Sequence, residues 1–545
     1  MKQGTARWTA CAVALAVVLA GCTSGGSGET TATETGGDAG TPEAAGTETA
    51  GSFNATGLPV VNDTIQLRIP IIKAHYHNDI NEMVTIQSLE EKTNIDVEWE
   101  QVPSESWSER KNLMFASGEY PDAFFNGLTT QDVVNYGSQG VLIPLEDLID
   151  QYAPNIKKIF DENPRVRQMA TAPDGHIYSV PWFEDKSFFE YRNTFLINKT
   201  WLDALGLQVP TTTDELIDVL KAFKERDPNG NGQADEIPAT FRHNTTTQGY
   251  YELYGAFGLA DALTGFSVRD GKVVFEPTLP EYKEAIAFLH RLYGEGLIDP
   301  ETFTQNSEQL ISKTKSETPI VGLIASFNGT YELGDRVGEY VAVPALKGPN
   351  GDQLWRRQDN RIILNFFSIT SANEHPEATM RLVDTMNEPR TALEFKMGPF
   401  GTHMREKDNG MIEVLPPQEG MDTSHWIGSV TPSTALPLLV SKEWIEKIEK
   451  TTSDQLRQSF YEIYKPHIVP EEMTYPNMYV TEEQNQRLSV LGTDIMTYVR
   501  QTEARWIVEG GVEQDWEKYL QDLTNMGLSE MMDIKQAAYD TFRNN

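Results

Sequence analysis

Short apolar segments alternate with amphipathic helices along the chain from about residue 60. Residues 65–72 (IQLRIPII) and 95–100 (IDVEWE) have the apolar spacing of strands, and a helical pattern over residues 80–92 separates them. A further helix ends at Gly118, and residues 122–126 (DAFFN) then read as a third strand. Strand–helix–strand order at this spacing predicts right-handed crossovers, a mostly parallel sheet and an α/β fold.

Helix signals recur further along the chain. Thr212 and Glu215 have the spacing of a capping box, and Thr278 and Glu281 repeat it. After the first pair, apolar residues recur one helical turn apart, at Leu216, Val219, Leu220 and Phe223. From about Trp444 the pattern is helical almost throughout, so we expect a helix-rich C-terminal region.

The first residues have the pattern of an export signal. Lys2 and Arg7 precede an apolar run over residues 10–20, which is too short to span a membrane. The run closes on residues 19–22 (LAGC), which resemble the lipobox of bacterial lipoproteins. We therefore expect residues 1–21 to be a signal peptide and Cys22 to be the lipidated first residue of the mature chain. The only other cysteine is in the signal, which excludes disulfides and thiolate sites.

Residues 22–57 differ in composition from the rest. They are rich in Thr, Gly, Ser, Ala and Glu, and no Lys or Arg occurs between Arg7 and Arg68. Such a segment cannot bury enough apolar surface to offset its chain entropy. We expect a disordered tether that holds a folded body close to the membrane surface.

The net charge of the chain is −35. An acidic surface repels phosphate backbones and anionic headgroups, which argues against nucleic-acid binding and against peripheral membrane binding. No second long apolar run is present. Contact with a membrane is therefore expected through the lipid anchor only.

Five segments in a fixed order carry a family resemblance. The segments are residues 115–125 (FASGEYPDAFF), 174–181 (DGHIYSVP), 196–207 (LINKTWLDALGL) with 210–215 (PTTTDE), 323–331 (LIASFNGTY) and 369–378 (ITSANEHPEA). With these segments the chain resembles family-1 extracellular solute-binding proteins, the maltodextrin-binding-like receptors of carbohydrate ABC importers. After about Met411 the match is weak.

The resemblance implies a type II periplasmic-binding-protein fold, in which two α/β lobes close on a ligand by hinge bending. It implies an N-terminal lobe of residues 58–190 plus 325–367 and a C-terminal lobe of residues 191–324 plus 368–545. The expected protein is monomeric and not an enzyme. It delivers an oligosaccharide or polysaccharide fragment to the permease subunits of an ABC transporter.

Residues 227–236 (DPNGNGQADE) carry the most specific chemistry of the chain. Oxygen-bearing side chains at positions 1, 3 and 5 and Gly at position 6 are how an EF-hand loop begins. Position 12 is Pro238, so the usual bidentate Glu is absent. Such hard oxygen ligands favour structural Ca²⁺, whereas the alternative is an Asx-rich turn that binds no metal. The stretch also resembles the calcium site of alginate- and oligosaccharide-binding members of the family, matched here at Asp227, Asn229, Asn231, Gln233, Asp235 and Glu236.

A sugar site pairs aromatic platforms with polar side chains. Segments that are expected to border the cleft supply the candidates. They are Tyr76, His77, Asp122, Asn126, Trp182, Phe183, Asn328, Tyr331, Trp355, Arg356 and Trp426. For any single aromatic residue, packing in the core is an equally good interpretation.

Two choices stay open at the level of sequence. Arg356 and Arg357 suit either a uronate ligand or surface carboxylates of the chain itself, so the sequence does not decide between charged and neutral glycans. The alternative functions are a binding lipoprotein for another solute, such as a peptide, and a secreted glycan-active enzyme. No HExxH, GxSxG or nucleotide-binding glycine motif supports the enzyme.

Overall fold

The computed structural model describes residues 53–185, 190–358 and 361–544. The expected signal peptide, Cys22 and nearly all of the expected tether lie outside these residues. Within them, no helix has both the length and the apolar character that crossing a membrane requires. Two sheets with helices packed around them form the body, which confirms the predicted α/β class.

The first sheet has six strands. Their order is β14–β4–β11–β3–β1–β2, and only β11 runs antiparallel to its neighbours. The strands are β1 (Ile65–Lys73), β2 (Ile95–Pro103), β3 (Ala123–Phe125), β4 (Val180–Glu184), β11 (Ile362–Ile369) and β14 (Leu439–Val440).

The second sheet has four strands in the order β10–β5–β9–β6. Strand β5 is antiparallel to both of its neighbours, and β6 runs parallel to β9. These strands are β5 (Thr194–Asn198), β6 (Ile237–Thr240), β9 (Val321–Ser326) and β10 (Tyr340–Val343). Two separate hairpins are β7 (Phe266–Arg269) with β8 (Lys272–Phe275), and β12 (Met404–Glu406) with β13 (Ile412–Val414).

The helices divide by position along the chain. Up to β4 they are α1 (Val84–Thr93), α2 (Trp107–Ser117), α3 (Thr130–Ser138), α4 (Glu146–Tyr152), α5 (Pro154–Glu162) and α6 (Pro164–Ala170). Between β5 and β11 they are α7 (Lys199–Leu205), α8 (Thr213–Glu225), α9 (Pro280–Gly294), α10 (Ser307–Thr314) and α11 (Thr330–Leu333). After β11 they are α12 (Pro376–Met386), α13 (Pro389–Met397), α14 (Thr423–Gly428), α15 (Lys442–Lys447), α16 (Thr452–Tyr464), α17 (Glu482–Glu509), α18 (Val512–Asn525) and α19 (Leu528–Asn544).

The directions of the strands place one end of each sheet beside the segments where the chain crosses from one sheet to the other. We call this side of each sheet its crossing edge. Strands β1, β3 and β4 run in one direction, and the chain leaves β4 to begin β5 in the second sheet. Because β9 and β6 are antiparallel to β5, their carboxyl ends lie where β5 begins. The carboxyl ends of both sets of strands therefore lie beside the crossings, and α/β sheets place ligands at such ends.

The sheets divide the chain differently from the implied lobes. Strand β10 lies within 325–367 but pairs with β5, so only β11 of that range returns to the first sheet. Helix α12 lies within 368–545 but packs against α1, α4 and α5, and β14 pairs with β4. Helical periodicity identifies a buried face without naming its partner, so the packing of α12 is known only from the structure.

The two predicted capping boxes have different outcomes. Thr212 caps α8 by accepting from the Glu215 amide, but the Glu215 carboxylate accepts from the amide of Thr211 instead of that of Thr212. Helix α9 starts at a proline after Leu279, and Thr278 donates to the Phe275 carbonyl, so the second box is wrong. Proline fits the first helical turn without a cap, because it has no amide hydrogen to satisfy.

Candidate functional site

The segment after β1 meets helix α14 at the crossing edge of the first sheet. Tyr76 and His77 follow β1, and Gly428 packs so closely on them that an added Cβ would lie 2.6 Å from the Tyr76 carbonyl oxygen. The Asn78 amide donates to the Gly428 carbonyl at 3.0 Å. Two predicted residues that are far apart in sequence, Tyr76 and Trp426, thereby belong to one cluster.

Six rings form this aromatic–histidine cluster. Trp426 stacks on His403 with centroids 4.0 Å apart and an interplanar angle of 14°. Tyr76 meets His77 edge to face at 4.8 Å, and His425 lies 6.3 Å from Tyr76. The cluster consists of His75, Tyr76, His77, His403, His425 and Trp426.

Two ring N–H donors of the cluster have no hydrogen-bond partner among the described residues. His77 accepts from the Ala74 amide through Nδ1 at 3.3 Å, so its Nε2 carries the proton. Burial, with Lys73 and His75 nearby, lowers the pKa of His77 to about 4, so the ring is neutral near pH 7. His77 Nε2 and Trp426 Nε1 are both buried and unpaired. Buried donors of this kind require an acceptor from elsewhere, such as water or ligand.

A second group of aromatic and basic residues lies between the sheets, and we call it the crossover core. Trp355 is 1% exposed, stacks on Tyr464 at 3.9 Å and donates from Nε1 to the Asn193 carbonyl. Arg457 lies 3.6 Å over the Tyr191 ring and donates to the carbonyls of Tyr191 and Phe327. The crossover core consists of Tyr191, Trp355, Arg356, Arg457 and Tyr464.

Three predicted ligand residues are instead internal. Trp355 leaves no face for a sugar, and Phe183 is 2% exposed in the core. Arg356 is 5% exposed and pairs with Asp261 at 2.5 Å. Arg357 pairs with Glu190 at 3.2 Å. Of the alternatives open for the two arginines, the structure supports pairing with carboxylates of the chain itself.

Three other candidates lie along β3 and β4. Asp122 precedes β3, at the end away from the crossings, and accepts from the Arg68 amide at 2.7 Å. Asn126 follows β3 at the crossing edge with a φ of 63°, which asparagine tolerates better than most residues. Trp182 is half-buried in β4, with the Lys396 ammonium 5.5 Å from its ring. Asp122 is thus part of the scaffold, whereas Asn126 lies where a ligand is expected.

Asn328 and Tyr331 follow β9 at the crossing edge of the second sheet. The Asn328 side chain is 8% exposed, donates to the Ser453 hydroxyl at 2.5 Å and accepts from the Thr330 amide. Tyr331 is 63% exposed. Tyr331 is therefore free to meet a ligand, whereas Asn328 joins the end of β9 to α16.

The predicted calcium loop folds back on itself. Asp227 accepts from the amides of Asn231 and Gly232, and Asn231 accepts from the amide of Gln233. The side-chain amides of Asn229 and Asn231 donate to the Asp235 carboxylate. These contacts gather carboxylate and amide groups within hydrogen-bond distance of one another.

Glu236 completes the loop. Its Oε1 is buried without a partner, and burial, with Asp235 and Asp227 nearby, raises its pKa. Among the residues that the structure describes, no three His, Cys, Asp or Glu side chains converge as a metal site. A cation here would therefore also need amide and carbonyl oxygens. The donor set fits Ca²⁺, which takes six to eight such oxygens.

The α17 pocket, with a volume of about 530 Å³, lies at the carboxyl end of β6. Sequence reasoning missed it, because its two walls are about 250 residues apart in the chain. The rule that ligands bind at carboxyl ends of strands points to the first wall, but nothing in the sequence points to the second. The residues that line the pocket include His243, Asn244, Met496, Thr497, Arg500 and Gln501.

Strand ends beside the chain crossings, with rings and unpaired donors near them, are typical of a two-sheet α/β binding protein. The family model described as bacterial extracellular solute-binding protein matches residues 79–392. The chain belongs to this family.

Similar proteins cover most of the chain. The fructooligosaccharide ABC transporter substrate-binding protein FusA of Streptococcus pneumoniae is 33% identical over 86% of this chain and 88% of its own. Its structure in complex with kestose has a TM-score of 0.74, 32% identity, and covers 88% of this chain and 100% of that one.

Two further relatives differ in their stated ligands. A human-milk-oligosaccharide (HMO) binding solute-binding protein from Bifidobacterium longum infantis has a TM-score of 0.79 and 27% identity, covering 88% of this chain and 99% of that one. The polygalacturonan/rhamnogalacturonan-binding protein YtcQ of Bacillus subtilis is 24% identical over 71% of this chain and 75% of its own.

Proposed function

We propose that this protein captures an oligosaccharide outside the cytoplasm and presents it to an ABC importer. The observation that carries the proposal is the aromatic–histidine cluster, which places rings and two unpaired N–H donors where the strands end. Sugars offer apolar faces and hydroxyl acceptors that fit such a surface. The relative FusA, whose stated ligand class is fructooligosaccharide, supports the carbohydrate assignment.

The lobes are assigned by sheet. The first lobe contains the six-stranded sheet with α12, and the second contains the four-stranded sheet with α8, which packs on β6. Chain crossings between the sheets allow hinge closure around a ligand. After removal of the proposed signal peptide, a lipid on Cys22 would anchor this body to the outer face of the membrane.

Thermal unfolding of the full chain in detergent tests the proposal. A ligand present at 100 times its Kd adds about 2.7 kcal/mol of stability. A shift with an oligosaccharide that is recovered intact supports binding without catalysis. A shift only with peptides contradicts the carbohydrate assignment, and a cleaved sugar contradicts the binding-protein assignment.

We further propose that the loop from Asp227 to Glu236 holds Ca²⁺ in a structural role. The loop's carboxylates and amide oxygens would bind the ion, whose charge would relieve repulsion between Asp235, Asp227 and Glu236. A solved relative is described as an EF-hand mutant of FusA, with 31% identity and a TM-score of 0.74.

Calorimetry with calcium and with chelator tests this role. At 100 times its Kd, calcium should add about 2.7 kcal/mol of stability. Asp235→Asn should remove most of that gain, whereas Asp494→Asn, an exposed acid on α17, should retain it. Equal stability in calcium and in chelator would contradict the proposal.

A further inference from the structure

The α17 pocket joins the strand-end loop of the second sheet to the longest helix of the described residues. His243 and Asn244 follow β6, and Asn244 has a φ of 52° while its amide donates to the Tyr251 hydroxyl. Thr497 and Gln501 lie one turn apart on α17, and both are exposed. The pocket is therefore a groove with a fixed loop on one side and a helix face on the other.

The charged group that lines this pocket is neutralised within the chain. Arg500 donates through Nη1 to the fully buried Glu503, and through Nη2 to the carbonyls of Ala262 and Leu263. Burial lowers the pKa of His243, whose Nδ1 is bonded to the Tyr250 hydroxyl at 2.6 Å. The arginine has little capacity left for a ligand carboxylate.

What remains for a ligand is uncharged. Asn244 and Gln501 provide amides, Thr497 provides a hydroxyl, and Met496 provides an apolar surface. Amides and hydroxyls both donate and accept, as sugar hydroxyls do. Arg356 and Arg357, the other arginines considered for a uronate, are paired with Asp261 and Glu190.

We propose that the α17 pocket is a subsite for an uncharged sugar unit and that it favours neutral over uronic oligosaccharides. This inference rests on the proposed function. A carboxylate that enters the pocket would lose hydration without gaining a free cation, and such desolvation is costly. The net charge of −35 adds long-range repulsion against the same ligands.

Calorimetric titration with neutral fructooligosaccharides and with oligogalacturonates tests the inference on the full chain. The wild type should bind at least one neutral glycan and bind oligogalacturonates at least about tenfold more weakly, in line with the cost of a buried, unpaired carboxylate. Gln501→Ala and Thr497→Ala should each weaken neutral binding by roughly twofold to tenfold, as loss of one hydrogen bond predicts. Gln486→Ala, an exposed site earlier on α17, is the matched control and should change nothing.

Thr497→Arg supplies the missing cation. Arginine is well tolerated on a helix surface, so the variant should fold. Its guanidinium can pair with a carboxylate and should strengthen oligogalacturonate binding, while loss of the Thr497 hydroxyl should weaken neutral binding. The preference for neutral over uronic oligosaccharides should therefore become smaller. Equal wild-type affinity for both glycan classes would overturn the selectivity. Neutral binding that is unchanged in Gln501→Ala and Thr497→Ala would overturn the subsite while leaving the proposed function intact. A wild type that binds no glycan would overturn both.

Discussion

The crossover core and the aromatic–histidine cluster use the same kinds of side chain for opposite purposes. In the crossover core, Trp355 donates from its ring N–H to a carbonyl, and both terminal nitrogens of Arg457 donate to carbonyls, although its buried Nε has no partner among the described residues. In the aromatic–histidine cluster, His77 Nε2 and Trp426 Nε1 have no partner among the described residues. A Trp whose ring N–H is paired inside the chain holds the fold, whereas a Trp whose N–H is left unpaired near the strand ends is available to a ligand.

Trp355→Ala should give the largest effect and should act on stability. Its fully buried ring leaves a cavity, so the free energy of unfolding should fall by about 3–5 kcal/mol. Urea denaturation measures the loss, with Trp444→Ala, a half-buried tryptophan outside both groups, as the matched control. If Trp355→Ala leaves stability unchanged but abolishes sugar binding, the contrast between the crossover core and the aromatic–histidine cluster is wrong.

Arg457→Met should cost about 2–3 kcal/mol, because buried carbonyls lose a charged donor. Arg457→Lys keeps a cation with fewer donors in a less suitable geometry, so its stability should fall between the wild type and Met. Urea denaturation of the wild type, Arg457→Lys and Arg457→Met measures their order of stability. Equal stability of all three would show that the guanidinium does not hold the crossover.

Trp426→Ala should instead act on affinity, with a loss of about tenfold for the bound glycan, equivalent to about 1.4 kcal/mol. Trp426→Phe keeps a ring but removes the Nε1 donor, so it separates stacking from hydrogen bonding. Calorimetric titration measures both variants. If both bind as the wild type does, the cluster is not a ligand surface.

The pH dependence of affinity should be the smallest effect. Because the pKa of folded His77 is about 4, its ring stays neutral, and the part of the affinity that His77 contributes should change by less than about twofold between pH 8 and 5.5. Stability behaves differently: the unfolded histidine takes up a proton below about pH 6.5, so the contribution of His77 falls as the pH drops from there toward 4. His77→Gln should lack that part of the pH–stability slope. A pH–stability slope that His77→Gln shares with the wild type would contradict a neutral His77.

Local patterns predicted the elements well. The apolar stripe at Leu216, Val219, Leu220 and Phe223 is buried in α8, and the first predicted strands are β1, β2 and β3. The turn residues of the proposed calcium loop also make the local contacts that their spacing suggests. These features depend on residues a few positions apart, so the sequence contains all that is needed to recognise them.

The roles of individual aromatic and basic residues were not predictable in this way. Trp355 and Trp426 look equally suitable for a sugar in the sequence, yet Trp355 is 1% exposed with its ring N–H paired to a carbonyl, while Trp426 keeps an unpaired N–H. The α17 pocket forms because folding brings Asn244 and Gln501 to the same place, and no sequence spacing relates these two residues.

The sequence by itself determined the α/β class, most of the early strands and helices, and the local turn chemistry of residues 227–236. Tertiary structure alone decided which sheet each strand joined, which arginines were neutralised by carboxylates, and which polar atoms stayed unpaired. The physical reason is that backbone periodicity and turn chemistry act between near neighbours. Burial and hydrogen-bond satisfaction depend on partners that meet only when the chain is folded.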